Sequence, residues 1–145
     1  MKKLVALSVI SLVLAGCVNP GKASVQPEQL QNHRFVLESV DGKAVKTTAT
    51  QPEISFSALP EISLLNNITV SGVMCNRFNG QGKLSEGALK VKTLAMTRKL
   101  CTDSQLNALD QAIGDMLRKG TQVDLTEDQL TLATAEKTLT FKRAE

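Results

Sequence analysis

Residues 102–141 run TDSQLNALDQAIGDMLRKGTQVDLTEDQLTLATAEKTLTF, and two periodicities meet in them at Gly120. Before that glycine, Leu106, Leu109, Ile113, Met116 and Leu117 recur at helical spacing on one side, which predicts a helix with a single buried face. Thr102 or Asp103 can cap its start, and Gly120 stands where such a helix stops. After Gly120 the apolar residues alternate, as Val123 and Leu125, then Leu130 and Leu132, then Leu139 and Phe141, with turns near Glu127-Asp128 and Ala135-Glu136. A period of two places each pair on one face of a short strand. The expected class is therefore α+β, with an antiparallel, barrel-like sheet curled over one main α-helix.

Upstream of the helix the strand signals continue. Leu89 and Val91 alternate with Lys90 and Lys92, and Gly72, Gly80, Gly82 and Gly87 punctuate the centre of the chain. Arg34 to Val40 puts Phe35 and Leu37 on one face and Val36 and Glu38 on the other; Asp41-Gly42 then supplies a strong hairpin turn, with Val45 on the return. Pro27 can open a short helical turn through Leu30. Pro52-Glu53-Ile54-Ser55 recurs eight residues later as Pro60-Glu61-Ile62-Ser63. An even shift keeps every side chain on its own face, so a duplicated strand and a chance match both remain open. Asn66-Asn67 is expected to turn between Ile62 to Leu65 and Ile68 to Val73.

The N-terminus carries an address. Lys2 and Lys3 precede a twelve-residue, largely apolar run from Leu4 to Ala15, followed at once by Gly16 and Cys17. Spanning a bilayer takes about 20 apolar residues, so this run is expected to be a signal peptide, residues 1–16. Leu14-Ala15-Gly16-Cys17 resembles the bacterial lipobox, which implies lipidation of Cys17 and a membrane contact through that anchor. Val18 and Asn19 lack the Asp that goes with inner-membrane retention in such lipoproteins, and the resemblance therefore implies the periplasmic face of the outer membrane. Residues 17–26 are expected to be a lipidated tether, and 27–145 the folded domain.

Composition narrows the function. The formal charge is +3, but without Lys2 and Lys3 it falls to +1. With no Trp, no Tyr and four Phe, the aromatic platforms that stack single-stranded nucleic acid are missing, and nucleic acid is not an expected partner. With Cys17 assigned to lipid, Cys75 and Cys101 remain as an even pair for an oxidising compartment. Closing the loop between them stabilises the fold by roughly 3.5 kcal/mol on chain entropy. Two Cys and the lone His33 are too few for a zinc site, and Cys-x-x-Cys spacing is absent, so neither a metal nor a redox motif is expected.

Ser71 to Gly80, reading SGVMCNRFNG, followed by Met96-Thr97-Arg98-Lys99-Leu100-Cys101 and then the helix, resembles the META domain family. Phe35 stands where many of its members carry Trp, Lys99-Leu100 replaces a more apolar pair, and the eight-residue repeat lengthens the segment before Gly72. The resemblance implies a small envelope or secreted module tied to heat and stress responses and to antibiotic tolerance, with no established catalytic activity.

The residues agree with a non-enzyme. Nucleophilic catalysis needs a base beside the nucleophile and a group to orient that base, whereas His33 stands beside Arg34 at the start of a strand. Glu53 and Glu61 repeat because their motif repeats, and no Walker or Rossmann glycine pattern occurs. Two readings of Met74, Asn76, Arg77, Phe78 and Gly80 stand side by side. Either they only specify the fold, with Asn76 satisfying backbone groups, Phe78 filling the core and Gly72 or Gly80 permitting a bulge or turn, or Met74, Asn76 and Arg77 form a contact surface. The expected function is a non-catalytic, lipid-anchored, monomeric outer-membrane module without cofactor, acting on an unidentified envelope protein or ligand under stress. The alternative is a periplasmic inhibitor or small-ligand-binding lipoprotein.

Overall fold

A computed structural model describes residues 24–46, 50–57 and 67–144. The chain enters through Ser24 and the buried Val25, inside the stretch expected to be tether, so packed structure reaches back at least that far. Gln26 and Gln29 pair backbone to side chain at 2.8 Å over the helical turn α1 (Pro27–Leu30), which Pro27 opens as expected and Leu30 anchors in the core. The strand β1 (His33–Val40) follows, then β2 (Lys43–Ala44), joined by Asp41-Gly42 with both residues at positive φ as a two-residue hairpin requires. The return strand ends before Val45 instead of starting there.

Strand β3 (Glu53–Ser57) carries the Pro52 copy of the repeat. The Pro60 copy, the stretch Ile62 to Leu65, the signal segment and Cys17 lie outside the described residues. Next come β4 (Asn67–Val73), β5 (Arg77–Ser85), β6 (Ala88–Lys90), β7 (Leu94–Met96), α2 (Ser104–Lys119), β8 (Thr121–Thr126), β9 (Gln129–Ala133) and β10 (Thr138–Arg143). Asn67, expected in a turn, is the first residue of β4, where it pairs with Lys83.

Eight strands close a ring in the order β1-β3-β4-β5-β6-β8-β9-β10, and β10 returns to β1, with every pairing antiparallel. The short β2 extends β1, and β7 borders the first part of β5. The α+β class stands, but the sheet curls on itself and not over the helix. The physical reason is that β1 and β10 satisfy each other's backbone groups, Phe35 facing Arg143 and Leu37 facing Phe141, which an open sheet wrapped on a helix leaves unpaired. The α2 helix instead packs chiefly against β6 and β7, and the Val91 amide donates to the Leu117 carbonyl at 2.8 Å.

Alternation fills the core. Phe35, Ile54, Phe56, Ile68, Val70, Phe78, Leu84, Leu89, Leu130, Leu132, Leu139 and Phe141 are all buried, and they join Leu106, Leu109, Ile113 and Leu117 of the helix. Burying each such side chain is worth about 1.5–3 kcal/mol. Asp103 caps α2 by accepting from the Gln105 amide, and Gly120, at φ 105°, ends it with its amide on the Met116 carbonyl. No helix among the described residues is long and apolar enough to cross a membrane.

Candidate functional site

The Met74 to Gly80 motif turns the chain from β4 into β5, and its first requirement is close approach. Gly72 faces Phe78 directly across the two strands, and a Cβ on it would lie 2.6 Å from the Phe78 ring and closer still to the Glu53 carbonyl. A Cβ on Gly80 would lie 2.6 Å from Val91 and 2.8 Å from the Thr93 carbonyl. Both glycines sit within paired strands and make room for neighbours; neither provides the bulge or turn that the sequence suggested.

Asn76 is the centre of the corner. Its Oδ1 accepts from the Lys99 amide and from Thr97 Oγ1, both at 2.8 Å, while its Nδ2 donates to the Lys99 carbonyl at 2.9 Å and to Asp110 Oδ2 at 2.6 Å. Two donors and two lone pairs are the whole capacity of a side-chain amide, and all four are used. Asp110 Oδ1 accepts from the backbone amides of Cys75 and Asn76 at 3.0 and 2.9 Å. Thr97 Oγ1 also receives the Arg77 amide at 3.1 Å.

A covalent bond closes the same corner. Cys75 and Cys101 form a disulfide, their Cα atoms 6.0 Å apart. From the first turns of α2, Asn107 grips Cys101 at both backbone groups, accepting from its amide at 3.0 Å and donating to its carbonyl at 2.8 Å. The helix is thus held to the motif by Asn107 and Asp110 as well as by its apolar face.

Of the motif residues, Met74, Asn76 and Phe78 are buried, Gly80 is half-buried and Arg77 is exposed. The contact-surface reading of the motif is left with Arg77, because burial takes Met74 and Asn76 out of reach of a partner. What the corner presents outward instead is the loop it clamps. The Thr97 amide donates to the Arg77 carbonyl at 3.0 Å, and beyond it Arg98, Lys99 and Leu100 are exposed, Leu100 by 86%. It is the one large hydrophobic residue so exposed among the described residues.

Asp110 and Asn107 were missed in the sequence, although Asp110 left a signal. It falls four residues after Leu106 and three before Ile113, a carboxylate inside the apolar stripe, and such a group is buried only with partners. His33 opens β1, half-buried and edge-on to the Phe35 ring at 6.3 Å. Glu53 pairs across the strands with Arg34 at 2.6 Å, and Glu61 lies outside the described residues. No group of three His, Cys, Asp or Glu side chains gathers among the described residues as metal ligands would.

This architecture and these residues match known proteins. The chain is 55% identical, over 145 residues, to the heat shock protein HslJ of Escherichia coli (strain K12), a match covering 100% of this chain and 98% of that protein. An NMR structure of a protein 58% identical in sequence superposes with a TM-score of 0.70 over 81% of this chain and 94% of the other. A second NMR structure, of a protein from Burkholderia xenovorans, is 23% identical with a TM-score of 0.61 over 94% of this chain and 99% of that one, and shares the fold alone. The family model described as the META domain matches residues 28–145. With its clamped Met-Cys-Asn-Arg-Phe corner, its disulfide and its ring of eight strands, the chain belongs to the META domain family.

Proposed function

We propose that the protein is a non-catalytic lipoprotein of the heat-shock and envelope-stress response. It is held by lipid on Cys17 at the periplasmic face of the outer membrane, and it contributes to envelope maintenance and antibiotic tolerance by contact, as a monomer. The observation that carries this reading is the identity to a heat-shock-named protein along the entire chain, signal-like segment included. The corner supports action by contact. Its buried polar groups are spent on one another, and the groups left to meet a partner are Arg77, Arg98, Lys99 and Leu100. An exposed arginine adds little to stability and can dominate an interface.

Replacing Cys17 with Ser tests the anchor: the protein leaves the membrane fraction after a high-salt wash, whereas salt-resistant retention of Cys17→Ser, with a wild-type chain that mass spectrometry finds only unprocessed, refutes it. Survival at elevated temperature tests the contact. Arg77→Ala lowers survival with an unchanged unfolding midpoint, and His33→Ala leaves survival intact. Loss of protection by His33→Ala in a stable protein overturns the non-catalytic reading.

The alternative, a periplasmic inhibitor or small-ligand-binding lipoprotein, is favoured by one observation. A groove of about 380 Å³ runs between the end of α2 and the β9–β10 turn, where Asp115, Lys119, Glu136 and Lys137 converge beside Met116.

A further inference from the structure

On the outside of the barrel, Lys83 of β5 faces Lys90 of β6 directly across the strand pair, and Lys92 follows on the same side. All three are exposed, and among the described residues none forms an ion pair; the pairs that do form are Arg34–Glu53, Lys137–Asp41 and Arg143–Asp128. Like charges directly opposite on a sheet are destabilising. Lysines commonly guard an unpaired edge, but Lys83 lies inside the sheet, paired with Asn67 of β4 on one side and Lys90 of β6 on the other. Nor is the cluster a by-product of a basic chain, since the net charge without Lys2 and Lys3 is only +1. Lys83, Lys90 and Lys92 line a shallow concavity of about 450 Å³, whose other walls include Asn67, Gln81 and Ser85. All three of these are donors suited to phosphate oxygens.

The chain's entry point lies at the same hairpin. Ser24 packs beside Gly87, in the turn between β5 and β6, its Oγ 3.7 Å from where a Cβ on that glycine would stand. Seven residues, 17–23, separate Ser24 from the membrane side of Cys17. Seven residues span at most about 25 Å when fully extended. A lipid on Cys17 therefore holds the β5–β6 hairpin within about 25 Å of the anchor.

We infer that the face formed by Lys83, Lys90 and Lys92 docks on the anionic phospholipid headgroups of the leaflet that holds the anchor. This inference rests on the lipoprotein reading above. Arg77 begins the strand whose last residue, Ser85, adjoins the hairpin beside Ser24, so the Arg77 corner lies at the far end of β5 from the chain's entry point.

The test uses the processed chain from residue 17 with Cys17→Ser, which carries no lipid; binding through the lysines is released by salt, whereas the lipid anchor resists a salt wash, so the two experiments fail separately. Co-sedimentation with vesicles containing phosphatidylglycerol is expected, with no binding to pure phosphatidylcholine and release at raised salt. Each lysine near a charged surface contributes about fivefold to partitioning. The Lys83→Gln/Lys90→Gln/Lys92→Gln variant should therefore bind about a hundredfold more weakly, with an unfolding midpoint equal to or above that of the parent chain. Lys43→Gln/Lys46→Gln/Lys142→Gln, which removes the same charge elsewhere, should stay within about twofold of the parent. Equal binding to both kinds of vesicle, retention by the first variant, or equal loss in the second overturns the inference.

Discussion

The β8–β9–β10 meander and the Cys75–Cys101 corner are both buried, yet different forces hold them. In the meander, Val123, Leu130, Leu132, Leu139 and Phe141 point inward by simple alternation, and the stabilisation is the removal of apolar surface from water. In the corner, a side-chain amide, a carboxylate and a disulfide tie three non-adjacent segments together. Apolar packing tolerates a replacement of similar volume, while a saturated polar network does not, since each lost partner leaves a buried group unsatisfied. The meander is built for adhesion and the corner for position.

The largest effect expected is common to both regions and sets the scale. Phe141→Ala in the meander and Phe78→Ala in the corner should each cost about 3–5 kcal/mol in chemical denaturation. A corner phenylalanine costing under about 1 kcal/mol would show that its burial is not structural. Next, Cys75→Ala with Cys101→Ala should lower stability by roughly 3.5 kcal/mol on chain entropy. Here the comparison sharpens: hydrogen exchange should accelerate at residues 74–77 and 97–101 and stay slow through the meander. Uniform acceleration would mean that the disulfide serves the whole barrel equally.

Smaller again, Asn76→Ala should cost roughly 2–3 kcal/mol, because it strands the Lys99 amide and the Asp110 carboxylate. Leu132→Met in the meander should remain under about 1.5 kcal/mol. If Asn76→Ala proves no worse than that volume-conserving swap, the polar clamp is not what holds the corner. Last, Arg34→Ala, which breaks a largely solvent-facing pair, should change stability by less than about 1 kcal/mol.

The same contrast explains what the sequence disclosed. The meander was legible because a period of two needs no partner to be seen: Leu130 and Leu132 betray a strand whatever lies opposite. The helix and its caps were legible for the same local reason, as was the Asp41-Gly42 turn. The pairing of Cys75 with Cys101 followed from counting thiols. Contacts between distant residues were not legible: that Asn76 meets Asp110, or that β1 finds β10, depends on three-dimensional closure that no local pattern encodes. Asn76 was open to a surface reading because a polar residue beside a cysteine looks alike whether it is solvated or fully bonded inside, and Met74 because methionine serves cores and contact surfaces alike.

Ring closure by β1 and β10 also has a consequence in time. Val36 lies opposite Lys142, so the contact that completes the barrel joins nearly the two ends of the domain and is among the most non-local it makes. Non-local pairings form slowly. Strands β1 and β9 each keep an unpaired edge until β10 is available, and β10 is the last strand in sequence order among the described residues. A chain made from its N-terminus therefore leaves the ring open at this seam until its final stave arrives.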